Sequence, residues 1–281
     1  MIDLLLLILL AGSTILVATW ISGARTIEDL STTLIDRTST RTEQELQRFF
    51  GTLQTNVLAA RDWAASGMLD ATDHATMNSL FVPILQQHPQ LSSMMVADSN
   101  GAEYLLLRDP LDSHAWSNRV VQADRWGTRV FNRTWNIATG TVEESFGELD
   151  YDPRNRIWYE RALETTSSEP VFWTKPVIFF VTKDPGITAS TYSDRVGDGP
   201  ETTVVAFDLL LMDISKFTST LEVSERGKAF VLVEDSHTGT FKVVGLPADR
   251  NYSTDASIRD ALVCFPPESS VADSDSQLPP P

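Results

Sequence analysis

The sequence predicts an α+β protein: an apolar N-terminal helix and a long amphipathic helix, then short antiparallel strands with helices at their side. Three observations carry this. Residues 4–24 contain no charged side chain, and the first half of that run is nearly all Leu and Ile. Leu46, Phe49, Phe50, Leu53, Val57 and Leu58 recur at three- and four-residue steps, which puts them on one face of a helix. Apolar runs at 91–97 and 103–107 flank Asp98-Ser99-Asn100-Gly101, a hairpin pattern that opens a β-rich section.

Taken in order, residues 1–24 read as a transmembrane helix or signal anchor, since roughly twenty apolar residues cross a bilayer. A cleaved signal peptide is the competing reading, because Ser22-Gly23-Ala24 supplies small residues, although no basic segment precedes the apolar run. Residues 25–70 read as a stalk helix: sparse Leu30, Leu34 and Ile35 give way to the apolar stripe, and Gly67 and Asp70 end it. Residues 71–211 form a larger module. It holds a helix over 73–87, the 91–107 hairpin, a strand over 129–137 and a turn at Thr139-Gly140. After a turn-and-helix segment at 151–163 come strands at 171–173, 177–181 and 187–192, a polar loop at 194–201 and a buried strand over 203–211. Residues 212–265 form a smaller module: a helix at 213–221, a hairpin of 229–233 and 241–244 around Asp235-Ser236-His237-Thr238-Gly239, and a short helix at 257–263. Residues 266–281, rich in Pro, Ser and acids, read as a disordered tail.

Composition narrows the function. With 42% hydrophobic and 21% charged residues the chain has the make-up of a folded protein, and a net charge of −16 argues against nucleic acid. The single Cys264 excludes an intrachain disulfide and a multi-Cys zinc site, and reads as a small buried side chain. His74, His88, His114 and His237 are scattered without metal-ligand spacing. No nucleophile elbow, phosphate loop or dinucleotide fingerprint occurs, so no enzyme, cofactor or metal is expected.

The stretch that concentrates chemistry is Tyr151-Asp152-Pro153-Arg154-Asn155-Arg156-Ile157-Trp158-Tyr159. Asp152 precedes a proline, which favours an extended-to-turn step, and the helical pattern begins behind it. Such a turn aims a guanidinium and aromatic faces together, and a guanidinium suits a planar carboxylate. The other reading is a surface salt bridge beside core aromatics. Asp208 stands in an apolar strand, where an unpaired carboxylate is costly. It must pair, with Arg156 as one structural partner, face a polar cavity, or stand at the wet edge of the strand. Trp116, Trp126 and Trp135 read equally as core or as pocket wall.

Asp152-Pro153-Arg154-x-Arg156-x-Trp158-Tyr159-x-x-Ala162 resembles the DPRxRPWYxxA signature of the double Cache sensor family, with Ile157 where Pro is usual. Residues 204–209 resemble the strand that ends the membrane-distal module of that family, and 230–233 the first hairpin of the proximal one. The resemblance, over about residues 25–265, implies two PAS-like antiparallel-sheet modules in an extracytoplasmic ligand-binding region of a bacterial receptor. It places Tyr151, Arg156, Trp158 and Asp208 at ligand-binding positions, with Tyr159, Trp173 and Lys175 as further candidates. In the family the Arg and aromatics hold a ligand carboxylate, and acids hold its ammonium. Here Val177 and Phe179 stand where a Tyr-x-Asp pair is usual, so a carboxylate is expected in preference to a free amino acid.

Two functional readings follow. One is a single-pass sensor of the bacterial inner membrane, its bulk periplasmic, passing a ligand signal through the stalk to an output domain absent from this chain. The other is an anchored or secreted small-molecule binding protein. A homodimer through the stalk helix is a further expectation.

Overall fold

The computed structural model describes residues 2–109, 112–194, 202–221, 223–224, 227–235 and 239–262; the side chains of 2–9 and 24–29 lie outside that description. The readings for Cys264, His237 and the 266–281 tail also fall outside the described residues, as does most of the 194–201 loop. The protein is α+β, with antiparallel sheets and a long N-terminal helix.

The expected anchor and stalk are one element, helix α1 (Ile2–Ala65). Among the described residues no helix is long and apolar enough to cross a membrane. The Leu- and Ile-rich first half of the N-terminal apolar run, residues 2–9, has its side chains outside the description. The Thr14 and Thr19 hydroxyls donate back to the carbonyls of Leu10 and Ile15. Leu10, Ile15, Leu16, Val17 and Trp20 nonetheless stand exposed along this helix.

The described residues divide into two compact units. The first holds those up to Phe49 with 223–224 and 227; the second holds Phe50 to Leu221 and the described residues from Lys228 onward. In the second, Asp73 caps helix α2 (His74–Gln87) by accepting from the Thr76 N–H at 3.1 Å. Strands β1 (Ser93–Asp98) and β2 (Glu103–Arg108) make the expected hairpin, its turn held by the Asp98 carboxylate and by Gly101 at φ 86°.

Strand β3 (Ala115–Val121) was not expected. Helix α3 (Ala123–Trp126), β4 (Arg129–Asn136) and the exposed, acidic β5 (Val142–Glu148) follow. The aromatic turn forms a 3-10 turn (Pro153–Asn155), helix α4 (Ile157–Glu160) and a second 3-10 turn (Arg161–Glu164). The last strands of the large sheet are β6 (Phe172–Trp173), β7 (Val177–Ile178), β8 (Pro185–Asp194) and β9 (Thr202–Leu210). The strands expected at 177–181 and 187–192 have other bounds: β7 ends at Ile178, residues 179–184 make the turn, and β8 begins at Pro185. Helix α5 (Leu211–Ser219), a separate two-stranded hairpin of β10 (Val231–Asp235) and β11 (Thr240–Gly245), and helix α6 (Asp255–Ala261) complete the fold.

The large sheet runs β5-β4-β3-β2-β1-β9-β8-β6, with β7 also on β8, so β1 and β9 lie at its centre. Strand alternation gives it two dissimilar faces. One packs on helices: Phe207 meets Phe81 of α2 edge-on, Phe81 meets Trp63 of α1, and Asn78 bridges to Asn118. On the other, Met95, Leu105 and Ala206 pack beneath Trp158, Tyr159 and Ala162. These side chains are almost wholly buried, and an aromatic buried to this degree contributes roughly 2–3 kcal/mol. This packing fixes α4 over the sheet.

Candidate functional site

Immediately beside the packed layer under α4, the same face of the sheet carries a row of polar side chains. Ser93 on β1 and Thr188 on β8 are the direct cross-strand partners of Asp208 on β9. The Ser93 hydroxyl donates to Asp208 Oδ2 at 2.5 Å, and the Thr188 hydroxyl donates to Oδ1 at 2.6 Å. A carboxylate in an apolar strand is thus satisfied by one hydroxyl per oxygen, each from a neighbouring strand. The Arg156 bridge that the sequence left open for Asp208 is not one of these two contacts.

A second charged set lies on the same face. Glu103, fully buried, takes two hydrogen bonds on Oε2 from Arg119, at 3.0 and 2.8 Å, and two on Oε1, from Arg119 at 3.2 Å and from the Tyr151 hydroxyl at 2.7 Å. Register explains the pairing: Glu103 opposes Val121, so Arg119, two residues back on β3, is its diagonal neighbour. The Arg119 guanidinium also sits 4.2 Å from the centroid of the Tyr151 ring.

Arg119, Tyr151, Trp158, Ser93, Thr188 and Asp208 line one chamber of about 30 Å³, together with residues 179–182. Of the sequence-predicted residues, the fold therefore brings Tyr151, Trp158 and Asp208 together. Arg156 lies at the margin, its guanidinium 5.6 Å from the Tyr151 ring and 5.9 Å from the Phe180 ring, and does not line the chamber. Tyr159 is buried in the layer under α4, and that burial raises its phenol pKa. Trp173 meets Phe50 edge-on at 5.7 Å and lines a different depression, while Lys175 is exposed away from the chamber. Arg154 is committed elsewhere, to Asp152 at 2.8 Å and to the carbonyl of Ser99.

Sequence reasoning missed Glu103, Arg119, Ser93 and Thr188. A signal existed for the first: a glutamate heading an apolar strand calls for the same explanation as Asp208. Phe179, where the Tyr-x-Asp pair of the double Cache family would end, is a chamber wall, so no acid stands at that point. Among the described residues no group of three or more His, Cys, Asp or Glu side chains could hold a metal ion.

No family model matches the sequence, and no curated protein matches it. Solved structures do. The ligand-binding domain of the Campylobacter jejuni chemoreceptor Tlp3, in complex with 4-methylisoleucine, is 16% identical; the match covers 77% of this chain and 70% of that one at a TM-score of 0.46. The ligand-binding domain of the Pseudomonas fluorescens chemoreceptor CtaA, in complex with L-leucine, is 15% identical over 88% and 79%, at 0.44. That of the Pseudomonas aeruginosa PAO1 amino acid chemoreceptor PctC, in complex with GABA, is 17% identical over 85% and 79%, at 0.45. The structural neighbours are thus sensory domains of bacterial chemoreceptors.

Proposed function

We propose that this chain is an extracytoplasmic sensor domain of the double Cache type that binds a small organic ligand in the 30 Å³ chamber and its entrance. In this reading its modules are residues 71–211 and 212–265, and the chamber belongs to the first. The observation that carries the reading is the convergence of Asp208, Arg119, Tyr151 and Trp158 on one chamber of an antiparallel sheet. Desolvated charges in such a place recognise charged groups far better than exposed ones do.

The ligand is a carboxylate held from the Arg156–Tyr151 side, and Asp208 receives any donor the ligand carries. Helix α1 tethers the domain to the bacterial inner membrane, with the bulk periplasmic, and passes the signal to an output domain. The charge-free 4–24 run and the exposed Leu10, Ile15, Leu16, Val17 and Trp20 support the tether. The same helix offers the surface for a homodimer.

The test is thermal unfolding of the purified chain against L-leucine, GABA and amine-free small carboxylates. A ligand at a hundredfold excess over its Kd stabilises by about 2.7 kcal/mol. The gain should vanish in both Arg156→Ala and Asp208→Asn while the unliganded variants stay folded. No gain with any carboxylate would overturn the ligand assignment, and fractionation of the chain away from membranes would overturn the tether.

A further inference from the structure

The chamber is about 30 Å³, far below the roughly 300–1,000 Å³ of pockets that hold small molecules. An organic ligand therefore needs a wall that gives way. The sheet wall is held by strand ladders on both sides of β1 and β9, and Trp158 is wedged in the layer under α4. Of the rest of the lining, Tyr151 is tied to Glu103 by its hydroxyl, whereas residues 179–182 belong to no strand or helix, and Phe180 and Val181 are 39% and 45% exposed.

These residues form a strap that is closed at its base. The Phe179 N–H donates to the Asp184 carbonyl at 2.9 Å, and the Lys183 N–H donates to the Phe179 carbonyl at 3.1 Å. Lys183 turns the chain at φ 59°, and its ammonium sits 4.6 Å from the Phe180 ring centroid. A loop tied across its own neck moves as a unit. Phe179 seats it: the ring lies so close over Gly186 that a Cβ there would stand 2.0 Å from it.

The far end of the strap reaches another element. Asp184, 6% exposed, meets Arg259 of α6, with Nε to Oδ1 at 2.7 Å and Nη2 donating to Oδ2 at 3.3 Å. Pulling Asp184 away would leave a buried carboxylate without its cation, so α6 is coupled to the strap's position. Helix α6 has one other ion pair among the described residues, Asp255 with Lys216 of α5 at 3.0 Å.

We propose that the 179–184 strap transmits the state of the chamber to α6, with Phe179 as the seated end and the Asp184–Arg259 pair as the far anchor. The relay rests on the reading of the chamber as the ligand site, but its mechanics do not need a ligand to be observed. Hydrogen–deuterium exchange on the intact chain, with nothing added, compares the parent, Phe179→Ala, Arg259→Gln and the double variant. Unseating the strap by Phe179→Ala should raise exchange of the α6 amides about threefold in the Arg259 background and leave it unchanged in the Arg259→Gln background, because coupled sites are non-additive. An unchanged α6 in Phe179→Ala, or an equal rise in both backgrounds, overturns the relay. Phe179→Leu keeps most of the buried volume and gives the same pattern at smaller size if the alanine variant does not fold. A chamber that binds nothing leaves this result as it is, and the thermal unfolding panel reports on that separately.

Discussion

Two cavities share Leu107 and Thr182 as lining, and they differ in every other respect. The chamber is about 30 Å³ and walled by Asp208, Arg119 and Tyr151. The neighbouring groove is about 700 Å³, open to solvent, and lined among others by Asp109, Thr134, Asn136, Glu143 and the Asp184–Arg259 pair. By size alone the groove would be the binding site. By chemistry the chamber is the better candidate, because its charges have left water and are held by partners, whereas much of the groove's polar lining is solvated. Space tells what can enter; desolvated and pre-oriented charge tells what would be recognised.

The largest effect should come from the chamber. Glu103→Ala leaves Arg119 buried without its carboxylate, and breaking a buried pair in this way costs about 3–5 kcal/mol. Urea unfolding should show the loss, and a change below about 1 kcal/mol would mean that the pair is far better hydrated than its burial indicates.

A further acid, Asp213 at the start of α5, is largely buried, with its side chain 18% exposed. Burial pushes its carboxyl up to about 6, while Lys216 and Arg108 pull it back down. A pKa raised on folding gives stability that is complete below the ordinary value of 3.8 and is lost as pH rises through about 6. The swing is on the order of 3 kcal/mol. Unfolding midpoints should therefore fall between pH 4 and 7 in the parent, and Asp213→Asn should flatten that slope. A slope that survives the substitution assigns it to another group.

Asp208→Asn should cost about 1–3 kcal/mol, the price of a buried hydrogen-bonded group losing part of its partners, and should end the ligand-induced gain in thermal stability. Glu143→Gln in the groove should be the smallest, within about 0.5 kcal/mol, with the ligand response unchanged. If Glu143→Gln abolished the response and Asp208→Asn spared it, the roles of the two cavities would be exchanged.

Much of this was readable from the chain, for reasons that also explain the rest. Helix α2, the β1–β2 hairpin and β9 are legible because caps, turn residues and apolar runs act locally. Strand β3 is not, because both of its faces carry polar residues: Asn118 reaches Asn78 and the Leu105 carbonyl on the helix face, and Arg119 reaches Glu103 on the other. A strand with partners on both sides loses the alternation that advertises it. Strand β5 is hidden differently, as an acidic, exposed edge of the kind that keeps sheets from pairing further. Anchor and stalk were separated by composition, yet a change from Leu to Thr and Ser is no stop signal, and α1 runs through it. Tyr151, Trp158 and Asp208 could be singled out because a spaced motif and a lone acid in an apolar strand are visible in one dimension. The Glu103–Arg119 pair depends on the register of two strands, which only the folded sheet supplies.

The row of Ser93, Asp208 and Thr188 has a consequence for how the sheet assembles. All three are direct cross-strand partners, so a slip of one residue in β9 would turn Asp208 toward Phe81 and the helices, and point Phe207 at two hydroxyls. A mispaired sheet would therefore bury a carboxylate in grease on one face and orphan donors on the other. The polar row acts as a checksum on strand alignment, which makes the centre of the sheet the place where misfolded copies are most heavily penalised.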